Sequence, residues 1–151
     1  MTVVFAKGFE QTVEKTDGTC PLGDDNLFTI TGGPILVTNF YGLVTTQIGN
    51  NVSTCTIQHA CTTPAADIAL STAVAIDTDA VGTLYYISSA ALGVFTPVTA
   101  SSVIQATQML PWILTPGTLQ ATFSAANTAG AIRWFIVYKM LSQFSKVVAA
   151  A

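Results

Sequence analysis

Hydrophobic and polar residues alternate along much of this chain, most clearly over residues 118–141. The alternation runs through residues 119–125 and resumes through residues 132–140, where every second residue is apolar. A period of two is typical of a β-strand that buries one face. Between these stretches, residues 127–130 read Asn-Thr-Ala-Gly, which is a turn-like sequence. The pattern therefore predicts a β-hairpin over residues 118–141.

Other apolar stretches predict further strands, separated by short turns rich in Gly, Pro, Asn and Asp. Residues 109–114 contain Pro111 and fit an edge strand or a bend. Residues 68–76 also alternate, although their alanines leave a helix as the rival interpretation. Many short strands between frequent turns predict an all-β fold, an antiparallel β-sandwich of jelly-roll type. The remaining strands are expected at residues 12–15, at residues 35–48 with a bend or bulge at Gly42, and at residues 84–87.

The length of 151 residues fits one domain. We divide it into an extended N-terminal arm (residues 1–11), a β-sandwich domain (residues 12–146) and a short apolar C-terminal tail (residues 147–151). The first residues lack the apolar segment and the small-residue cleavage site of a signal peptide, which indicates synthesis in a cytosol.

Composition changes this picture by making the surface unusual. Only 9% of the residues are charged and 50% are hydrophobic, whereas soluble domains carry about 25% charged residues. We therefore expect neighbouring molecules to cover part of the surface. The net charge is −3 and the five cationic residues are scattered, so no nucleic-acid partner is expected. No apolar run reaches the roughly 20 residues of a membrane span, so no membrane partner is expected either.

His59 is the single histidine, and it lies between Cys55 and Cys61. One histidine and this cysteine spacing do not match the usual zinc pattern, so we expect neither metal nor cofactor. A Cys–His nucleophile would lack a third group to orient the imidazole, and we expect no catalytic residue. Cys20, Cys55 and Cys61 are interpreted as small buried side chains, while disulfides within the chain or between subunits stay open.

Two other sets of residues could bind a ligand instead of serving only the structure. Asp77 and Asp79 could bind calcium, although an Asx turn beside Gly82 explains them more simply. Aromatic residues could form a platform for sugars, but they more often fill a core or an interface. The aromatic set comprises Phe40, Tyr41, Tyr85, Tyr86, Trp112, Trp134, Phe135 and Tyr138.

The second strand of the predicted hairpin is apolar on both faces. Trp134 and Ile136 share one face, and Phe135 and Val137 share the other. Large exposed apolar patches are rare in monomers, so the second face needs another sheet or a partner. We predict Phe135, Val137 and, on the edge segment, Trp112 as interface residues of a symmetric homo-oligomer. A trimer is favoured slightly over a dimer.

Three parts of the chain carry a resemblance to known proteins. They are residues 14–18 with 25–34, residues 74–83, and residues 115–118 with 133–139. Together they resemble small structural proteins encoded beside the major capsid protein in tailed bacteriophages, which decorate or cement the head or serve elsewhere in the virion. The resemblance carries over no catalytic residue, and the cysteines lie outside it.

This resemblance implies a β-rich homo-oligomer that is made in the host cytoplasm and binds the major capsid protein on the capsid surface. The sequence thus predicts a capsid decoration or cement protein that is not an enzyme. A carbohydrate-binding β module of the phage tail or surface is the main alternative, and a small hydrolase is a weaker one.

Overall fold

The computed structural model describes residues 9–87, 95–98 and 111–151, with the backbone alone for residues 95–98. Every regular element in these ranges is a β-strand. The strands are β1 (Gln11–Cys20), β2 (Gly23–Thr31), β3 (Ile35–Thr46), β4 (Thr54–Cys61), β5 (Ala66–Ala69), β6 (Val74–Ala75), β7 (Leu84–Ile87), β8 (Phe95–Val98), β9 (Trp112–Leu114), β10 (Gly117–Phe123), β11 (Asn127–Met140) and β12 (Lys146–Ala149).

These strands form two antiparallel sheets that enclose one hydrophobic core. Sheet A has the order β1-β11-β3-β7-β8, with β9 also paired to β3. Sheet B has the order β12-β2-β10-β4-β5, with β6 also paired to β4. Phe28 of sheet B meets Phe40 of sheet A edge-on, with ring centroids 6.5 Å apart. The predicted all-β antiparallel sandwich is confirmed.

Trp134 occupies the centre of this core. Its buried indole stacks on Phe40 at 5.4 Å and on Tyr85 at 6.4 Å. Gly42 is the residue of β3 directly opposite Trp134, and a Cβ atom there would lie 2.6 Å from the indole. Gly42 therefore makes room for Trp134 and forms no bend. The two irregularities in the pairing of β3 with β11 lie at Thr38 and Thr45 instead.

The hairpin predicted over residues 118–141 is wrong, although both of its strands exist. Strand β10 pairs with β2 and β4 in sheet B, whereas β11 pairs with β1 and β3 in sheet A. The chain crosses from one sheet to the other between these strands. Residues 127–130, expected to be the turn, belong to β11.

The crossing after β10 is held by the first residue of β4 and by residues just before it. The Ser53 hydroxyl donates to the carbonyl of Ala125 at 2.8 Å, and the Asn51 amide donates to the carbonyl of Ala126 at 2.7 Å. The Thr54 backbone N–H donates to the Ser124 hydroxyl at 2.8 Å. These distant partners provide the hydrogen bonds that the backbone requires at the crossing. The chain can therefore pass from one sheet to the other without a tight hairpin turn.

The other predicted strands are present with different bounds. Leu84–Ile87 is a strand as expected, and residues 68–76 contain parts of β5 and β6 rather than a helix. The first strand begins at Gln11 and continues to Cys20, beyond the expected residues 12–15. Of the predicted N-terminal arm, residues 1–8 lie outside the described residues.

The segment predicted as a C-terminal tail forms most of a strand. Strand β12 pairs antiparallel with β2 at the end of sheet B, and Val147 is buried. The apolar side chain of Val147 joins the core, which explains why this short segment adds to the sheet instead of extending from it.

A partly buried ion pair links the two sheets where β1 and β2 lie close together. Lys15 lies opposite Trp134 in sheet A and Asp25 lies opposite Ala121 in sheet B, so both side chains face inward. The Lys15 Nζ atom is 3.0 Å from Asp25 Oδ1, and it also donates to the carbonyl of Asn26. The two side chains are only 13% and 21% exposed.

Candidate functional site

The outward surfaces of the two sheets differ in character. The outer face of sheet B carries polar side chains that bond to each other: Gln120 donates to Asn26 at 2.7 Å and Thr122 donates to Asp24 at 2.7 Å. Gln58 extends this network to the neighbouring strand by donating to Gln120 at 3.0 Å. The outer face of sheet A is apolar at its centre, where the side chains are Leu36, Tyr41, Leu43, Tyr86, Ile113, Phe135 and Val137. The polar side chains of Thr12, Glu14, Asn39, Arg133 and Lys139 lie around them on the same face.

Strand register places the apolar residues of sheet A side by side. Phe135 lies directly opposite Tyr41, and their rings stack with centroids 4.6 Å apart. Tyr86 lies opposite Tyr41 on the other side. All three residues are only half-buried in the single chain. An aromatic row therefore crosses three strands and remains open on its outward side.

The three predicted interface residues do not lie together. Phe135 and Val137 alternate with buried residues of β11 and face outward, as their spacing predicted. Trp112 lies opposite the buried Val37 and packs against the core, on the inward side of sheet A and not beside Phe135 and Val137. Its neighbour Ile113 takes the outward position and is 66% exposed. A three-residue strand has too little pattern to fix which face is inward.

The charged residues beside the aromatic row form pairs of opposite charge. Arg133 Nε lies 3.3 Å from Glu14 Oε1, and Lys139 Nζ lies 4.0 Å from Glu10 Oε1. These side chains are 39% to 50% exposed, so the pairs add little to stability. They leave this part of the surface without net charge.

A second candidate site is a cavity of about 330 Å³ at one end of the sandwich. Sheet B contributes His59, Cys61 and Ile68, and the segment around β9 contributes Ile113 and Thr115. The lining is mostly apolar, with the imidazole and the thiol as its chemically reactive groups. The sequence did not reveal this cavity, because it forms between elements that are far apart in the chain.

His59 and Cys61 are in contact at this cavity. They lie two residues apart on the same face of β4, and Cys61 Sγ is 3.3 Å from His59 Nδ1. His59 is 3% exposed, and its Nε2 atom has no hydrogen-bond partner of good geometry among the described residues. Burial lowers the pKa of His59, and the backbone of Thr115 partly opposes this shift. The imidazole is therefore neutral at physiological pH.

The other two cysteines have a different environment. Cys20 and Cys55 are buried free thiols, as the sequence suggested. Burial, together with the charge of Asp25, raises the pKa of Cys20 to about 11. Burial also raises the pKa of Cys55 well above its usual value. Both thiols are consequently protonated and unreactive at neutral pH.

The acidic residues considered for calcium have structural contacts. The Tyr85 hydroxyl donates a hydrogen bond to Asp79, and the Asp79 carbonyl accepts from the backbone of Ile48 at 3.0 Å. Burial raises the pKa of Asp79, while the bond from Tyr85 lowers it. Within the described residues, no group of three or more His, Cys, Asp or Glu side chains is placed to hold a metal ion.

Most of the aromatic residues considered for sugar binding are in the core. Phe40, Tyr85, Trp134 and Tyr138 are buried. Together with the inward Trp112, they are not available as a surface platform.

No family model, curated protein or solved structure matches this chain.

In the part of the chain that the structure describes, we find no helix with the length and hydropathy needed to cross a bilayer.

The lowered pKa of His59 predicts a pH dependence of stability. Because the unfolded imidazole binds a proton more readily, the free energy of unfolding should fall as pH decreases through about 6.5. The loss should level off below the folded-state pKa. Urea titrations give the free energies of unfolding of the wild type and of His59→Gln, and the two are compared between about pH 8 and 5. Other titrating groups contribute equally to both proteins, so a constant difference between them over this range would contradict the prediction.

Proposed function

We propose that this chain is a structural protein of a bacteriophage particle that assembles with copies of itself and binds the capsid surface. The main observation is the outer face of sheet A, which is apolar at its centre and partly exposed in the part of the chain that the structure describes. The assembly contact is assigned to this face, with Phe135 and Val137 near its centre.

The aromatic row provides the main attraction for a second copy. Tyr41, Tyr86 and Phe135 present adjacent rings, and aromatic side chains contribute strongly to interfaces. Large apolar patches are seldom left open to water. Since Glu10, Glu14, Arg133 and Lys139 form pairs, an identical face brings no net charge against it. These properties suit a self-complementary contact.

The edge strands of both sheets are poorly suited to pairing with another chain. The outer face of sheet A is therefore the better surface for assembly. In β1, Lys15 faces inward and the register is irregular after it, and both features discourage pairing with another strand. Strand β8 contains Pro97, which has no backbone N–H to donate. Strands β5 and β12 have only four residues each.

The order of the strands also supports a structural role. With β6, β8, β9 and β12 left aside, the orders β1-β11-β3-β7 in sheet A and β2-β10-β4-β5 in sheet B support the jelly-roll type that the sequence led us to expect. Jelly rolls occur in viral capsid proteins, and they also occur in lectins and cupins. The fold is thus compatible with the proposal and with its alternative. Four of the eight aromatic residues considered for sugar binding are buried, which counts against the alternative.

Replacing Phe135 by Asp tests the assembly contact. We expect the oligomer to dissociate, because each subunit would place a charge in an apolar interface that now buries a phenyl ring. Phe135 is half-buried on the outside of the sandwich, so the fold should survive. Sedimentation equilibrium at micromolar concentration measures association, and circular dichroism checks the fold. Thr118→Asp on the outer face of sheet B is the matched control and should leave association unchanged.

A wild-type chain that is monomeric at these concentrations would refute the assembly contact. Cryo-electron microscopy of particles that carry the protein tests its location separately. Density on the head lattice is the expected result. Density at the tail tip, together with glycan binding by the isolated protein, would replace the proposal with the carbohydrate-binding alternative.

A further inference from the structure

Cys61 differs from the other cysteines in the groups that surround it. Its sulfur contacts the His59 imidazole at 3.3 Å, and both residues line the cavity at the end of the sandwich. Cys61 is partly exposed, whereas Cys20 and Cys55 are buried. A thiol next to a neutral imidazole and accessible from a cavity is arranged for reaction.

The surroundings of the His59 imidazole suit a base that acts through Nδ1. The ring is almost fully buried, yet Nε2 has no hydrogen-bond partner of good geometry among the described residues. Gly117 approaches this atom so closely that an added Cβ would lie 2.9 Å from it. Buried polar atoms are usually satisfied, and those that are not call for an explanation. The backbone of Thr115 offers one, since a hydrogen bond with it raises the pKa of His59 against the effect of burial, while Nδ1 faces the Cys61 sulfur.

We propose that Cys61 is a thiol–disulfide exchange site, with His59 as its base and the adjacent cavity as the binding place for an uncharged disulfide. The lining supports an uncharged substituent, since Ile68, Leu70 and Leu114 contribute apolar surface and no lining residue is ionised. The proposal concerns a modification site and does not depend on the assembly contact.

The exchange balances without another reactant. As the Cys61 sulfur attacks one sulfur of the disulfide, its proton passes to His59 Nδ1. The sulfur–sulfur bond of the disulfide breaks, and the departing thiolate takes the proton from His59. Cys61 ends as a mixed disulfide and is oxidised, while the departing sulfur is reduced to a free thiol.

Few charged groups surround this pair. On β5, Asp67 lies opposite Ala60 and therefore belongs to the other face of sheet B. Strands β9 and β10 contain no charged residue. No charged side chain of these strands is therefore placed to dominate the pH dependence of the exchange.

The test uses the full chain and 4,4′-dithiodipyridine, an uncharged aromatic disulfide whose released thiopyridone absorbs light. We expect one rapid equivalent of release, with peptide mass mapping placing the modification on Cys61. Cys61→Ser should abolish it. His59→Gln should slow it by about tenfold near pH 7, because an ordinary cysteine is only a few per cent thiolate at that pH.

A pH profile of the wild type gives a second measurement that requires no variant. Its Cys61 rate should already be high near pH 7 and should rise much less steeply toward about pH 8.5 than the rate of an ordinary thiol, because His59 takes the proton before the free thiolate becomes abundant. In His59→Gln, the profile should become as steep as that of the ordinary thiol. Equal labelling rates at Cys20 or Cys55, or a wild-type profile as steep as that of His59→Gln, would overturn the proposal.

Discussion

Replacing Trp134 by Ala is expected to lower the free energy of unfolding by about 3–5 kcal/mol. The indole is buried where β11 and β3 meet, and it stacks on Phe40 and Tyr85. Its removal leaves a large cavity, because Gly42 opposite it has no side chain to move into the space. Urea unfolding followed by circular dichroism measures the loss.

Two variants control this prediction. Trp134→Phe retains a ring in the core and should cost less than the alanine variant. Trp112→Ala removes the same side chain at the margin of the core, where the residue is only partly buried, and should also cost less. If Trp112→Ala proved more destabilising than Trp134→Ala, the centre of the core would have to be placed elsewhere.

Removing one partner of the ion pair between the sheets should have the second-largest effect. Asp25→Ala leaves the Lys15 ammonium facing the interior without its carboxylate, although the Asn26 carbonyl still accepts from it. We expect a loss of about 3 kcal/mol, at the lower end of the range for breaking a buried pair. Urea unfolding at neutral pH again provides the measurement.

Glu14→Ala is the matched control for the ion pair. It breaks the pair with Arg133, whose side chains are 39% and 42% exposed, and such exposed pairs contribute about 0.2–1 kcal/mol. Combining Lys15→Met with Asp25→Leu removes both charges together and should recover most of the lost stability. Equal losses for Asp25→Ala and Glu14→Ala would show that the inward position of Lys15 has no energetic consequence.

Much of the strand content could be predicted from the sequence, but the pairing of the strands could not. Alternation over residues 118–141 identified two strands and the outward side of Phe135 and Val137. It did not show that β10 and β11 belong to different sheets, because pairing depends on distant partners such as β2 and β3. Two consecutive strands joined by a turn-like segment are expected to form a hairpin. Only knowledge of their distant partners would have changed that prediction.

The candidate sites were predictable to different degrees. The spacing of His59 and Cys61 placed them on one face of a strand, but the burial of the imidazole depends on chain segments that pack over it, such as Gly117. The neighbours of Phe135 across the outer face of sheet A likewise follow from register. Composition led us to expect that neighbours cover some of the surface, and the pairing of strands shows which face is apolar at its centre.

The interleaved order of the strands has a consequence for synthesis on the ribosome. Strand β1 pairs with β11, and β2 pairs with β10 and β12. The first strands therefore cannot pair until the last strands have been synthesised. A nascent chain that ends before Asn127 has no β11 to complete sheet A. Its early apolar strands stay unpaired in a polypeptide with few charges, a condition that favours aggregation. C-terminal truncation should therefore yield insoluble protein rather than a smaller stable sandwich.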